Sequence, residues 1–400
     1  MNIILFDTKE RYNFLPFAYT RPIAEIIIGM SSIGEKWSES YKGAGISYLT
    51  EKYLSRKFPA VIDPVENLII NGSLLPSDEI LDEINELDFN EKLMDGEDLL
   101  AIKLSGDKLT KVLEKGIRLD KVDVIKTKTK YEAIVLKKWT DIFLKNDIAI
   151  DSDYRKLTAG RSSSELSASN TLIGNNIFVE PDAIIEGAIL NSSTGPIYIG
   201  RNVQVMEGAM IRGPVAICEN SVIKMGAKIY GATTFGPYSK VGGEVNNCVI
   251  FGFSNKAHDG FIGNTVIGEW CNLGADTNIS NLKNNYTSIK LWEYQEKSFK
   301  DSGLQFCGMA MGDHSKTGIN TMINTGTTVG VSANLYGSGY PRNFIPSFSW
   351  GGREGLSVFK LDKAIDVART VMQRRNVELT KKDIEILDHI YTTTADERSK

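Results

Sequence analysis

The 400-residue chain carries only three histidines, and two of them stand beside an aspartate in glycine-rich sequence, as His258-Asp259-Gly260 and Gly312-Asp313-His314. Histidine titrates near neutral pH, which makes it the side chain best suited to take a proton from a reacting group there. A histidine in a loop is more often structural or merely solvated, so its position in the fold decides its use. Around His258 stand Ser254, Asn255, Lys256, Asn272 and Asn281, a set able to hold a sugar and a phosphate. The alternative is that the asparagines form side-chain ladders at the corners of a repeat. The four cysteines, Cys218, Cys248, Cys271 and Cys307, include no C-x-x-C pair. That spacing argues against a zinc site or a disulfide framework and for buried free thiols.

The element that must position His258 is a repeat. Stepping by six from Ile199 gives Val205, Ile211, Ile217, Ile223, Ile229, Phe235 and Val241, all apolar. Four residues after each come Val203, Ala209, Val215, Ser221, Ala227, Thr233, Ser239 and Val245, all small or β-branched. Ile173, Val179 and Ile185 carry the pattern upstream, with a phase shift near Asn191 to Pro196, and Ile323, Val329 and Leu335 carry it downstream. Such a period predicts a parallel β-helix from Thr171 to Leu335. Each six-residue unit forms one short strand and one corner, three units close a coil, and every sixth side chain stacks inside on its counterpart one coil away. His258 falls where the register slips, between Val241 and Ile267, and repeat proteins commonly place function at such breaks. A loop interrupts the repeat near Tyr286 to Gly303.

Before the repeat, short apolar runs (Ile3 to Phe6, Ala133 to Leu136) alternate with helix-like stretches such as Ser77 to Leu87, which predicts an α/β domain. The polar stretch from Asp151 to Ser169 reads as a connector. After the repeat, Leu361, Ile365, Ala368 and Met372 keep a helical spacing, and Thr380 is a candidate N-cap of a second helix. These helices predict a cap or an oligomer contact. The expected organisation is an α/β domain over 1–155, a connector over 156–170, a β-helix over 171–350 and a helical tail over 351–400. A formal net charge of -4 without a basic stripe argues against nucleic acid as a partner. The opening Met1-Asn2-Ile3-Ile4-Leu5-Phe6 lacks a basic flank, and no apolar run approaches the roughly 20 residues of a membrane span, which predicts a cytoplasmic protein without a membrane partner.

The run Ser254-Asn255-Lys256-Ala257-His258, followed by Ile262-Gly263, Ile267-Gly268 and Asn272-Leu273-Gly274-Ala275-Asp276-Thr277, resembles the acetyltransferase half of the bifunctional glucosamine-1-phosphate acetyltransferase/N-acetylglucosamine-1-phosphate uridylyltransferases. The chain as a whole is similar to the divergent bacterial version, whose N-terminal half opens with a motif like Leu5-Phe6-Asp7 and carries Thr20-Arg21-Pro22 and Glu35-Lys36-Trp37. The resemblance implies a nucleotidyltransferase-like α/β domain followed by a left-handed β-helix that trimerises, an exception to the usual right-handed crossover. It implies that His258 deprotonates the substrate amine, which attacks the thioester of acetyl-CoA. It places Lys228, Glu244, Lys256, Asn272, Ala275 and Asn281 around the sugar phosphate and the coenzyme, with Lys228 where an arginine is usual. Asn246 stands in place of a phosphate-binding lysine and Phe261 in place of a tyrosine.

The N-terminal half departs further. Sugar nucleotidyltransferases carry a glycine-rich loop whose amides cradle the nucleotide phosphates, and here Asp7-Thr8-Lys9-Glu10-Arg11-Tyr12-Asn13 holds that place without a glycine. Arg11, Arg21 and Lys36 are the candidates to supply nucleotide-binding charge, the alternative being that they are solvated edge residues. Where the family sets a magnesium-binding aspartate after Asn-Gly, this chain reads Asn71-Gly72-Ser73, leaving Asp7, Asp141 or Asp153 as substitutes for a Mg2+ ligand. Three functions follow: synthesis of UDP-N-acetylglucosamine from glucosamine-1-phosphate, acetyl-CoA and UTP by a homotrimer; sugar-1-phosphate uridylyl or thymidylyl transfer with a β-helix used only for assembly; and a non-catalytic scaffold.

Overall fold

The computed structural model describes residues 2–398, which divide into two compact units. The first holds the residues up to Phe14 with Thr20–Ile26 and Ser31–Lys138; the second holds Leu15–Tyr19, Ile27–Met30 and the chain from Trp139 onward.

The first unit is built on one six-stranded sheet, in the order Gly45–Leu49, Asn2–Phe6, Asn67–Asn71, Asp98–Leu104, Glu91–Asp95, Ile125–Lys128. The three strands at one side run parallel, and Asp98–Leu104 runs antiparallel to Asn67–Asn71. Ile3 to Phe6 and Asn67 to Asn71 are buried along their length, as expected of parallel strands covered on both faces. Helix Ile33–Ser40 begins at a capping box in which the Ser32 hydroxyl and the Glu35 carboxylate satisfy each other's backbone N–H groups. Helix Asp78–Asn85 is capped by Ser77 and has Asp78 and Glu79 in its first turn, which is the acidic helix expected near Ser77 to Leu87.

The second unit is a left-handed parallel β-helix. Its strands stack in three faces, and each pairs in parallel with the strand one coil away: Ile199 with Ile217, Ile217 with Phe235, Val205 with Ile223, Ile211 with Ile229. Every residue of the six-step series from Ile199 to Val241 is at most 1% exposed, and the corner series from Val203 to Val245 is buried as well. The corners after one face need a left-handed backbone, which Asn202, Asn220, Tyr238, Phe253, Trp270 and His314 adopt in turn; asparagine tolerates this most easily. The stack extends past Leu335 to Phe344–Ile345 and Ser349–Gly352. The break near Tyr286 to Gly303 is an antiparallel hairpin of Lys290–Glu293 and Ser298–Asp301.

The expected connector is corrected in its first half. Residues 151–158 belong to a helix, Asn146–Thr158, that buries Asn146, Ala149, Ile150 and Asp153. Its apolar face is too short to leave a helical period, and polar groups fasten it. Asn146 Oδ1 accepts from the Gly29 N–H at 2.8 Å and its Nδ2 donates to the Ala232 carbonyl at 2.9 Å, while Asp153 accepts from the Met30 N–H at 2.7 Å. This helix lies in the second unit, so residues 139–155, which the sequence groups with the α/β domain, sort with the β-helix. At the other end, helix Leu361–Gln373 buries Ala364, Ala368 and Met372. Helix Lys381–Thr393 starts at Thr380 with a capping box to Asp383. Both pack with Trp270 and Phe253 of the β-helix.

Candidate active sites in the two units

In the β-helix the register slip is a shortened coil. Val241 pairs with Lys256, whereas an unbroken eighteen-residue coil would bring Asp259 opposite it. Ile229 pairs with Val245 and Ile250 with Ile267, both likewise short of a full coil. Residues 257–260 bulge outward as a turn, and His258 and Asp259 are exposed on it. Gly243 lies beneath with φ +73, and a Cβ there would come within 2.7 Å of the Gly260 carbonyl and 2.9 Å of that of His258, so only glycine lets this turn sit down on its neighbour.

The turn forms one wall of an open groove of about 530 Å³ lined by Lys224, Met225, His258, Asp259, Ala275 and Asp276, among others. The coils align these side chains: the Lys224 N–H donates to the Val241 carbonyl at 2.7 Å and the Asp276 N–H to the Asp259 carbonyl at 3.1 Å. The groove thus sets one imidazole, one ammonium and two carboxylates around a space that fits a small molecule, an arrangement suited to an amine-bearing anion. Of the residues the sequence assigns to this site, His258 and Ala275 line the groove. Lys228 and Glu244 pair on an adjoining face, where Glu244 accepts from the Tyr230 hydroxyl at 2.7 Å. Asn272 stacks under Asn255 at 3.5 Å and Asn281 donates to Asn264 at 2.8 Å, so both belong to asparagine ladders within the chain. Lys256 is turned inward and is 1% exposed, so it presents nothing to the groove. Its Nζ donates instead to the carbonyls of Gly242 at 3.3 Å, Asp259 at 2.9 Å and His258.

Lys224 and Asp276 were missed because each reaches the groove only through the fold. The signal that finds them is counting coils from the histidine, not sequence proximity. His314 stacks its ring on Trp270 with centroids 6.4 Å apart, at the end of the series Tyr238, Phe253, Trp270. It is a corner residue of that stack and does not line the groove. The four cysteines are buried and unpaired with one another; burial pushes the thiols of Cys248 and Cys271 up to about 12.

The first unit has a separate cavity of about 640 Å³, at the carboxyl ends of its parallel strands, lined by Phe6, Asp7, Thr8, Arg11, Leu49, Thr50 and Asn71 with Arg118 and Lys121 at its edge. The chain leaves Asn2–Phe6 for a neighbour on one side and then returns to pair on the other, which makes this a topological switch point, the place where open α/β sheets bind ligands. In place of a glycine-rich loop, a two-turn 3-10 segment, Lys9–Phe14, follows the strand. Asp7 Oδ1 accepts from the Ile23 N–H at 2.8 Å and Oδ2 from the Thr50 hydroxyl at 2.5 Å, and Arg11 Nε lies 3.3 Å from Oδ2. Burial pushes the Asp7 carboxyl above the usual range, against the opposing pull of Arg11, Thr50 and the Ile23 N–H.

Arg11, Arg21 and Lys36 are all buried, which removes the reading of solvated edge residues, and only Arg11 lines the cavity. Arg21 Nε reaches Thr20 Oγ1 at 3.4 Å and Lys36 Nζ reaches Ser31 Oγ at 3.3 Å. Among the three aspartates weighed for magnesium, Asp141 and Asp153 sit in the second unit. Asp7 is the one that lines the cavity, and its oxygens are already engaged. No group of three or more His, Cys, Asp or Glu residues able to hold a metal ion occurs among the described residues. Magnesium commonly takes one or two carboxylates plus substrate phosphates, and Asp7 is the carboxylate of that kind at this cavity. Among the described residues no helix is long and apolar enough to cross a membrane.

Residues 3–162 match the model of the sugar nucleotidyl transferase family, and residues 196–231 match the bacterial transferase hexapeptide repeats. Of curated relatives, the bifunctional protein GlmU of Synechococcus elongatus is 26% identical over 167 residues, 40% of this chain and 33% of its own. A bifunctional sugar-1-phosphate nucleotidylyltransferase/acetyltransferase of Sulfurisphaera tokodaii is 32% identical over 152 residues, 33% of this chain and 37% of its own. The chain thus spans about a third of the length of the curated relatives it matches. Among solved structures, the UDP-N-acetylglucosamine acyltransferase from Campylobacter jejuni aligns over 55% of this chain and 96% of its own, at 18% identity and a TM-score of 0.21.

Proposed function

The chain is a divergent member of the family that joins a sugar nucleotidyltransferase domain to transferase hexapeptide repeats, and from that premise we propose that it makes a nucleotide sugar in two steps. On the β-helix, the amine of glucosamine-1-phosphate is acetylated by acetyl-CoA; in the α/β unit, UMP is transferred from UTP to the product, releasing pyrophosphate and giving UDP-N-acetylglucosamine, a precursor class used in cell walls.

The observation that carries the first step is the exposed His258 on the turn of the shortened coil, with Lys224, Asp259 and Asp276 beside it in one groove. The neutral amine attacks the thioester carbonyl, His258 takes the amine proton as the tetrahedral intermediate forms, and coenzyme A leaves as its thiol. Lys224 is placed to meet the sugar phosphate, and the two carboxylates to meet the amine or hydroxyls. The second step is supported by the switch-point cavity and its buried Arg11, with magnesium entering on the nucleotide. A homotrimer is part of the proposal. One β-helix leaves Leu172, Ile184, Met210, Met225 and Ile319 exposed, and a neighbouring copy would cover such side chains and bring further groups to a groove that is open on one side.

The test is a coupled assay of the full chain with glucosamine-1-phosphate, acetyl-CoA, UTP and magnesium, following free thiol and pyrophosphate separately. Release of both, with the acetylated sugar phosphate as the intermediate, is the expected result. Pyrophosphate without thiol would leave a nucleotidyltransferase with an assembly β-helix, and neither product would leave a scaffold.

A further inference from the structure

We infer that Lys256 is a positioning residue, a lysine enclosed within the coil whose ammonium holds the backbone of the His258–Asp259 turn at the edge of the groove. This rests on the reading of His258 as the base. At 1% exposure Lys256 is more buried than Lys36 or Lys92, the other buried lysines among the described residues. It stands opposite Val241 in the stack, where this face otherwise carries Val205, Ile223, Leu273 and Thr317. A charge in such a column is unfavourable unless every donor is satisfied. Here each of the three N–H groups has an acceptor: the carbonyls of Gly242, His258 and Asp259. All three of these residues line the groove, and two of them, His258 and Asp259, form its turn.

The shortened coil explains why the lysine is there. The residues missing from that coil fall between Val241 and Ile250, where the Gly242-Gly243 corner is the shortest; the next corner, residues 257–260, keeps its full length and stands out over that tight glycine corner, and the His258 and Asp259 carbonyls turn back toward the interior. An aliphatic side chain at 256 would leave the Gly242 and His258 carbonyls without this donor and the Asp259 carbonyl with the Asp276 N–H alone, and the turn would have to move to find others. A catalytic group must be held to within about half an ångström of its productive place, so the ammonium acts on the reaction through the backbone of His258 without touching a substrate.

The lysine also titrates within reach. Burial lowers the pKa of Lys256 from the ordinary lysine value to about 8, with Asp259 and Asp276 pulling the other way; His258 and Lys224 are the further ionisable groups lining the adjoining groove. Since the folded value lies below the ordinary one, the charged form persists below pH 8 and is lost above it. Loss of the proton removes one of three donors, and one of the three carbonyls loses its partner on the lysine.

The experiment measures kcat and KM for thiol release by the full chain from acetyl-CoA and glucosamine-1-phosphate, between pH 6 and 9.5, for wild type, Lys256→Met and His258→Ala. Methionine is unbranched and of similar length, and Val241 opposite it is apolar. Lys256→Met is expected to lower kcat by about 10- to 100-fold, the scale of an ångström of misplacement, to leave KM for acetyl-CoA within about twofold, and to abolish an alkaline limb that wild type shows near pH 8. Wild-type kcat and an unchanged limb in Lys256→Met would overturn the inference. Should that variant fail to fold, the wild-type profile decides: a kcat that stays flat from pH 7 to 9.5 overturns it equally. If His258→Ala retains activity, it is the reading of the base that fails; if His258→Ala is inactive while Lys256→Met behaves as wild type, only the positioning role falls.

Discussion

His258 and Lys256 are two residues apart and do opposite things, because Lys256 ends the strand Asn255–Lys256 with its side chain inside the coil, whereas His258 stands on the turn that follows, outside it. The exposed imidazole has room for a substrate, and the enclosed ammonium has three carbonyls and no solvent. His258→Ala should lower acetyl transfer by about 10²- to 10⁴-fold, the usual contribution of a positioned base, with KM for acetyl-CoA and the melting temperature nearly unchanged. A variant that keeps more than about a tenth of wild-type kcat would remove His258 from the mechanism. Lys224→Ala, which removes a cation from the groove but no proton-transfer group, should instead raise KM for the sugar phosphate more than it lowers kcat. Steady-state kinetics separate the two roles, and equal effects on kcat from both would argue against the assignment.

At the scale of the element, the β-helix depends on uninterrupted stacking inside and on polar fastenings outside. Phe235 is fully buried between Ile217 and Ile250, so Phe235→Ala should destabilise the β-helix by about 3–5 kcal/mol, read from urea unfolding. The helix Asn146–Thr158 is fastened in part by one amide, since Asn146 joins Gly29, Ala232 and Thr234. Asn146→Ala leaves buried backbone groups unsatisfied and should cost about 1–3 kcal/mol; hydrogen exchange that rises in residues 146–158 ahead of the β-helix core would place the loss in that helix. No change in either quantity would mean that the amide is dispensable there.

At the scale of the molecule, the two cavities use different residues in different units, so the two activities should be separable. Arg11→Met removes the cavity's buried guanidinium and leaves the Asp7 carboxylate without its ion pair, a change that typically costs about 3–5 kcal/mol. Pyrophosphate release should fall by at least tenfold, and the first thermal transition should move down, while thiol release measured below that transition stays within about twofold. Parallel loss of thiol release would show that the two units do not work independently. Light scattering at micromolar concentration should give three times the 44.3 kDa chain mass; a monomer that still transfers acetyl groups would remove the trimer from the proposal.

How much of this was legible beforehand follows from the range of the interactions. The coil was visible from Ile199 to Val241 because its inward positions recur every six residues and each must be apolar, and the tail helices were visible from Leu361 and Thr380 for similar local reasons. His258 stood out because histidine is rare in this chain and the period breaks beside it. The helix Asn146–Thr158 was not visible, since its fastening partners Gly29 and Ala232 are remote in sequence and leave no period. Nor were the roles of Lys224, Asp276 and Lys256. Sequence lists which ionisable groups lie near His258, but burial and facing are set by where a shortened coil lands on its neighbours. Three residues missing between Val241 and Ile250 set the coil on which the Lys256 ammonium lies inside and the His258 imidazole outside.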